Sequence, residues 1–414
     1  MSESVKQISQ IRILESHICG LMVIFTFFGE HFKLFGLPLY IFPLVLCILL
    51  LLVDNNFRIH RPRGISLSRI ETFPTMLILS STITLPLSVQ SVGTQPYFKT
   101  VVTALIMLVV AKNIYDEESF DRILKYTLIG IIVTAAACGY ELITGHHFFA
   151  KVLTNEMLYR MGRDNSFGFQ INVNDNASLT ALSVFIVFLC LKNKGFIKRL
   201  FFIALALIMF TTTLAIGSRL VSLAFAAVLV EFILLLLISR YTKGTMPKII
   251  IGTIFVILCV LYLASFSVTS FLNSFSSTAY YNQDLGRILF MQWSLRTITP
   301  LSLLFGHGCG VTQQMIGGSS IHSVIVELLC DNGIILAFCF IYPIIKIQLS
   351  FSDKINRASG IILSCFATAF FLISFCSSSM LRIRSIWVFL VIVWKYYKIK
   401  VFEVEETDSS VHRI

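Results

Sequence analysis

Charge is scarce in this chain: Asp, Glu, Lys and Arg make up 13% of the 414 residues, against 56% hydrophobic. A mean hydropathy far above that of a soluble domain excludes a water-soluble globule. The net charge of +11 therefore needs no nucleic-acid partner; basic residues near lipid headgroups act as anchors that set orientation. No Cys-x-x-Cys pair or His cluster has metal-ligand spacing, so neither a metal nor another cofactor is expected. Ten cysteines are present, yet Cys19, Cys47, Cys138, Cys190, Cys259 and Cys365 fall inside apolar runs, where a thiol behaves as a small hydrophobe. Only Cys309 falls clearly in an outer loop, which argues against a disulfide framework. The polar start lacks a small-residue cleavage site and is expected to be retained.

What the chain does have is apolar runs of membrane-crossing length. The hydrocarbon core is about 30 Å thick and a helix rises about 1.5 Å per residue, so a span takes roughly 20 apolar residues. About twelve such runs occur, near 14–30, 37–53, 72–91, 97–111, 126–142, 174–191, 200–216, 220–239, 249–268, 323–345, 358–376 and 385–397. They are continuous rather than alternating, which predicts helices instead of a barrel. The expected fold class is an all-α polytopic integral membrane protein, a single transmembrane domain over 1–414.

Counting connectors alternately places most of the 33 Lys and Arg on one side. The other side holds Lys33, Lys99, Lys151, Arg160, Arg163, Arg219, Arg287, Arg296, Arg382 and Arg384. Short loops rich in Lys and Arg stay cytoplasmic, so both termini are expected inside and the sparser connectors outside. Two outer connectors are long, near 144–173 and 269–321, and long loops between packed spans usually carry function. Within the second, LGRILFMQWSLRTI repeats Leu285, Ile288, Leu289, Trp293 and Leu295 at helical spacing, which predicts an amphipathic helix at the membrane surface. FGHGCG and GGSS then read as a flexible hinge.

Candidate chemistry sits among the outer residues. Arg219, in IGSRLVSL, is either a snorkelling anchor or, with the backbone of Gly217 and Ser218 at a helix start, an anion site. Arg287, on the surface helix, either faces solvent or joins Arg219. Two converging guanidinium forks suit a diphosphate. His322 stands where the long loop re-enters the membrane, either as an interfacial cap or as a base with a near-neutral pKa. Glu327 lies five residues on, about 140° around a helix, and need not share its face. Arg163, Asn174, Asp175, Arg296 and Glu327 complete the substrate-binding candidates, with Asp164 and Asp284 as helpers. Glu231, inside an apolar run, is expected to face a bundle interior and pair locally.

His322, Ser323, nine residues, Gly333, two residues and Leu336 resemble the His signature of O-antigen ligases and of the related O-antigen and capsular polysaccharide polymerases. Leu336 departs from the ligase pattern. GFQINVNDNASL is similar to the Gly-x-x-x-x-Asn-Asp-x-Ala stretch of these proteins, GSRL to their Ser/Thr-Arg motif, and LGRILFMQWSL with LLFGHGCG to their external Arg helix and its exit. YELITGHHF is similar to the Glu-x-x-Thr-Gly-x-His of polymerase members. The likeness covers about 140–390, in matching order.

The resemblance implies a metal-independent, inverting glycosyltransferase of GT-C-like fold in the bacterial inner membrane, acting at the periplasmic face. Its donor would be an undecaprenyl-diphosphate-linked oligosaccharide, with a chain-length regulator and a flippase of the same pathway as partners. Arg219 and Arg287 would hold the donor diphosphate, and His322 would act on the acceptor hydroxyl. No external Asp/Glu pair resembles a glycosidase, which disfavours hydrolysis by paired carboxylates. Leu336 and the YELITG run favour a polymerase over a ligase that transfers to lipid A core. A flippase or other transporter is the reading from a different class; the absence of an internal repeat weighs against it.

Overall fold

The computed structural model describes residues 3–30, 32–53, 70–148, 168–170, 172–191, 195–216, 218–241, 289–317, 321, 323–352, 357–375, 381 and 383–411. In chain order the helices are α1 (Glu3–Phe27), α2 (Ile41–Val53), α3 (Thr72–Ile83), α4 (Leu85–Val92), α5 (Gln95–Asn113), α6 (Glu117–Thr144), α7 (Val173–Leu189), α8 (Phe196–Ala215) and α9 (Arg219–Tyr241). After a helical segment at 289–296 come α10 (Pro300–Phe305), α11 (Val311–Met315), α12 (Val324–Asn332), α13 (Ile334–Gln348), α14 (Arg357–Ile373) and α15 (Arg384–Val411). A two-residue hairpin pairs Lys33–Leu34 with Leu37–Pro38. The described residues are thus mostly helical, consistent with an all-α membrane protein. The run at 249–268 lies outside the described residues.

Among the described residues three helices, α5, α6 and α8, are each long and apolar enough to cross a bilayer; α3 and α4 together form a fourth candidate, bent by 62°. The bend follows from Pro86 in the first turn of α4, where the ring can start a helix but cannot continue the one before it. What faces outward also points to lipid. On α8, Phe196 and Ile197 are 81% and 82% exposed and Leu200, Phe201, Leu207 and Ile208 follow them, while Leu205, Ala206, Met209 and Thr213 are buried. An exposed face of that size in water would be an aggregation site; in a bilayer it meets acyl chains.

The chain divides into two compact units, 1–75 with 102–217 and 383–399, and 76–101 with 218–382 and 400–414. In the first, α15 is buried on every side from Ile386 to Trp394, the behaviour of a helix apolar all round. The Phe73 ring stacks on Trp387 with centroids 5.4 Å apart. Arg384, at the start of α15, donates to Glu30 at 2.5 Å and lies 5.1 Å over the Tyr40 ring. The α1–α6 contact is two rings seated on two glycines. A Cβ at Gly20 would fall 2.1 Å from the Tyr126 ring, and one at Gly130 would fall 2.4 Å from Phe27. Small residues let helices in lipid approach this closely, where packing rather than water release drives association. His17 Nδ1 meets the Tyr126 hydroxyl at 2.8 Å, which fixes that ring.

Helix ends are set locally. Asp116 and Ser119 form a reciprocal capping box at the start of α6, and Gly145, at φ 68°, closes its other end with an N–H to the Glu141 carbonyl. In the second unit α9 packs on α14 and α14 on α13. There Glu231 is fully buried and accepts from Gln348 Nε2 at 2.8 Å and Ser364 Oγ at 3.1 Å. That is the local pairing expected of a carboxylate inside an apolar run.

Gly130→Leu should push α1 off α6 and cost about 1–3 kcal/mol, as overpacking does. The check is the thermal midpoint in detergent beside Gly139→Leu, where an added Cβ meets nothing within 4 Å. Equal midpoints for the two variants would show that the α1–α6 contact is not tight.

Candidate functional site

The run expected to cross at 323–345 is broken. α12 has nine residues and ends at Gly333, whose φ of 88° leaves the helical region before α13 begins. Nine residues rise about 14 Å, less than half of the hydrocarbon core, so α12 is not itself a span. Ser323 caps it by accepting from Val326 N at 3.4 Å.

The segment 304–312 packs against this break. His307 N donates to the Cys330 carbonyl at 2.8 Å and Gly308 N to the Asp331 carbonyl at 2.9 Å. The Asp331 carboxylate answers in the other direction, accepting from Gly310 N at 2.7 Å and Thr312 N at 3.1 Å. The backbones meet so closely that a Cβ at Gly306 would lie 2.1 Å from the Asp331 carbonyl oxygen, and one at Gly333 would lie 2.1 Å from that of Leu304. The GHGCG stretch, read from sequence as a flexible hinge, is therefore a fixed clasp; its glycines serve close approach and positive φ. Cys309, expected in an open loop, is buried and hydrogen-bonds Ser81 at 3.2 Å. Burial pushes its thiol pKa up to about 11, so it is inert at neutral pH. Among the described residues the cysteines are buried thiols, and no group of His, Cys, Asp and Glu could hold a metal ion.

Beside the clasp is a cavity of about 320 Å³. Val92, Gln95, Pro96, Lys99 and Thr100 line one wall, Cys309, Gly310, Gln313 and Gln314 another, and Glu327, Asp331, Asn332 and Leu381 the rest. Asn332 is held by its Nδ2, which lies 3.2 Å from both Ser80 Oγ and Ser81 Oγ. Burial raises the Asp331 pKa to about 6 against the pull of its donors from Thr312 and Gly310, so the carboxylate is ionised at neutral pH.

The sequence-derived site residues fall as follows. Glu327 is half-buried and lines the cavity. Arg296 is exposed at the end of the 289–296 helix. That segment is helical, as its periodicity predicts, and its apolar residues face outward. Trp293 and Leu295 are 45% and 44% exposed, and Ser294 is buried, accepting from the Cys330 thiol at 3.5 Å. Arg219 opens α9, where a helix start was expected; of this residue only the backbone is described. Arg163, Arg287 and His322 lie outside the described residues, as do Asp164 and Asp284.

Asn174 and Asp175 occupy the first turn of α7 in the other unit, where Asn172 caps the helix by accepting from Asn174 N at 2.8 Å. There the carboxylate of Glu141, buried at the end of α6, accepts from Gly168 N at 2.6 Å and Phe148 N at 3.0 Å, with His147 Nδ1 3.8 Å away. Asn176 and Cys138 lie 3.2 Å apart beneath them. YELITGHHF and GFQINVNDNASL, separate in sequence, are thus tied together through Glu141. Glu141 holds backbone here, which is a positioning role.

Sequence reasoning passed over Asp331, Asn332, Gln95, Gln313 and Gln314, and gave Lys99 no role. Asp331 did carry a signal: an acidic residue inside an apolar run is a functional or structural site by default. The glutamines carried none, because only folding brings them to one space. No protein-family model, no curated protein and no solved structure matches this chain.

Asp331→Ala should leave two buried N–H groups without acceptors and cost about 1–3 kcal/mol for each. Because the folded carboxyl holds its proton more tightly than the unfolded one, Asp331 opposes folding once ionised; stability should rise as pH falls from 7 through about 6. Comparison of melting midpoints at pH 7 and pH 5 tests this, since Asp331→Asn cannot ionise and should flatten the slope. An equal slope in both proteins would remove the assignment.

Proposed function

We propose that this chain is a polysaccharide polymerase of the bacterial inner membrane, joining undecaprenyl-diphosphate-linked oligosaccharide repeat units at the periplasmic face. The observation that carries the reading is the cavity. Residues 92–96, 309–314 and 381 come from three connectors expected on the outer side, Lys99 and Thr100 from the outer start of the run at 97–111, and Glu327–Asn332 from the start of the run after the longest connector. These outer segments enclose one polar space. Ser323, next in sequence to His322, caps the helix that supplies Glu327, Asp331 and Asn332 to it. The tie between YELITGHHF and GFQINVNDNASL through Glu141 and Gly168 adds support from the other unit.

In this reading the acceptor hydroxyl oxygen attacks the anomeric carbon of the donor sugar from the face opposite the diphosphate. A C–O bond forms as the bond to the diphosphate breaks, the electron pair leaves with the diphosphate, and the anomeric centre inverts. The leaving group needs its growing charge stabilised rather than a proton, which suits the guanidinium groups of Arg219 and Arg287. The hydroxyl proton passes to His322, whose neutral imidazole is a competent base near pH 7. The step needs no metal and no nucleotide.

Arg219→Ala and Arg287→Ala should abolish glycan extension at normal protein levels; full extension by both would remove the diphosphate clamp. His322→Ala should lower turnover by roughly 100-fold or more, the scale of general-base catalysis, with little change in donor binding. A deletion strain should make lipopolysaccharide with a single repeat; naked core with accumulated lipid-linked polymer would instead assign the chain as the ligase. For the topology, single cysteines placed across 269–308 should react with a membrane-impermeant maleimide in intact spheroplasts. The native Cys309, buried and with its pKa near 11, should give little background. Protection throughout would reverse the sidedness.

A further inference from the structure

We propose that the cavity beside the Asp331 clasp is a subsite for the sugar hydroxyls of the acceptor glycan, and that it does not receive the donor diphosphate; the assignment to the acceptor rests on the transferase reading above. Its lining is the chemistry that recognises hydroxyl groups. Gln95, Gln313 and Gln314 each carry an amide donor and acceptor, Asn332 an amide oxygen, Thr100 a hydroxyl, and Glu327 a carboxylate acceptor. Val92, Pro96 and Leu381 supply an apolar wall for the C–H face of a sugar ring. The volume, about 320 Å³, stands at the lower end of small-molecule pockets, about 300 to 1,000 Å³, and accommodates a mono- or disaccharide unit.

Charge decides which part of a lipid-diphosphate glycan fits. Among the described lining residues the charged groups are the carboxylates of Glu327 and Asp331 and the ammonium of Lys99. A diphosphate brought against the Glu327 and Asp331 carboxylates would lie beside like charge in a partly desolvated space, where repulsion is stronger than in water. Neutral or amino sugars meet no such barrier. The site is also rigid before anything binds. Asp331 is locked by two backbone N–H groups, Asn332 lies against Ser80 and Ser81, and Gly310 is fixed by its bond to Asp331. Preformed polar walls lower the entropy cost of binding a flexible glycan.

The test uses the full chain purified in lipid nanodiscs. The probe is the delipidated repeat-unit oligosaccharide released by mild acid from the producing strain's own lipid-linked pool, with inorganic pyrophosphate as competitor. The protein should bind the oligosaccharide in saturation-transfer NMR. Gln95→Ala and Gln313→Ala, at unchanged melting temperature, should each weaken binding about tenfold, as losing one or two hydrogen bonds does; excess pyrophosphate should not compete. Unchanged affinity in both folded variants overturns the subsite, as does displacement by pyrophosphate. The two readings separate cleanly. Extension at the wild-type rate and wild-type acceptor KM in both variants removes the subsite and leaves the transferase standing. Variant-sensitive sugar binding without any extension by the wild type keeps the sugar site and removes the transferase.

Discussion

The second unit is organised around one carboxylate. Asp331 accepts from Gly310 N and Thr312 N while its own carbonyl accepts from Gly308 N, so with the Cys330 carbonyl, which accepts from His307 N, it closes the 306–312 segment onto the break between α12 and α13. A charged group buried in this way is tolerated only because both oxygens are hydrogen-bonded. The arrangement explains why two helices stand where one apolar run was read. Gly333 must turn at φ 88° to let the Leu304 carbonyl pass against it, and no residue with a Cβ fits that approach. The cavity follows, because a helix that stops at Asn332 presents Glu327, Asp331 and Asn332 sideways to residues 92–100 and 309–314.

The first unit is held together differently. Its centre is apolar on every side, with α15 enclosed from Ile386 to Trp394, and rings of Tyr126 and Phe27 pressed on Gly20 and Gly130. Its buried charged groups include Arg384, bonded to Glu30, and Glu141, bonded to the backbone of Phe148 and Gly168. Buried ionic groups of this kind are weak evidence for net stability, since their desolvation offsets much of the attraction. Their geometric effect is clearer. Glu141 joins the end of α6 to the residues leading into α7, and so fixes two stretches of sequence that share no periodicity.

Much of the secondary structure was legible because lipid imposes a simple code: a backbone away from water must form helices, so continuous apolar runs mark them. The start of α9 at Arg219 and the burial of Cys19, Cys47, Cys138, Cys190 and Cys365 were readable in the same way, as was the local pairing of Glu231. The division of 323–345 was not, because hydropathy averages over Asp331, Asn332 and Gly333 and cannot register a hydrogen bond to a segment twenty residues earlier. The helix at 289–296 was legible from its periodicity; which side packs on the protein was not. Periodicity finds an apolar face, yet in a membrane that face can point outward while Ser294 turns in.

By itself the sequence determined that this is an all-helical chain with helices able to cross a bilayer, since apolar length and backbone hydrogen bonding leave no other regular structure there. It also determined where ionisable residues interrupt the apolar pattern. Only the tertiary structure decided which of these meet. Lys99, Gln313 and Glu327 are far apart along the chain and line one cavity because Asp331 clasps a loop that no local propensity would place there, and hydrogen-bond geometry of that kind is a property of the folded backbone.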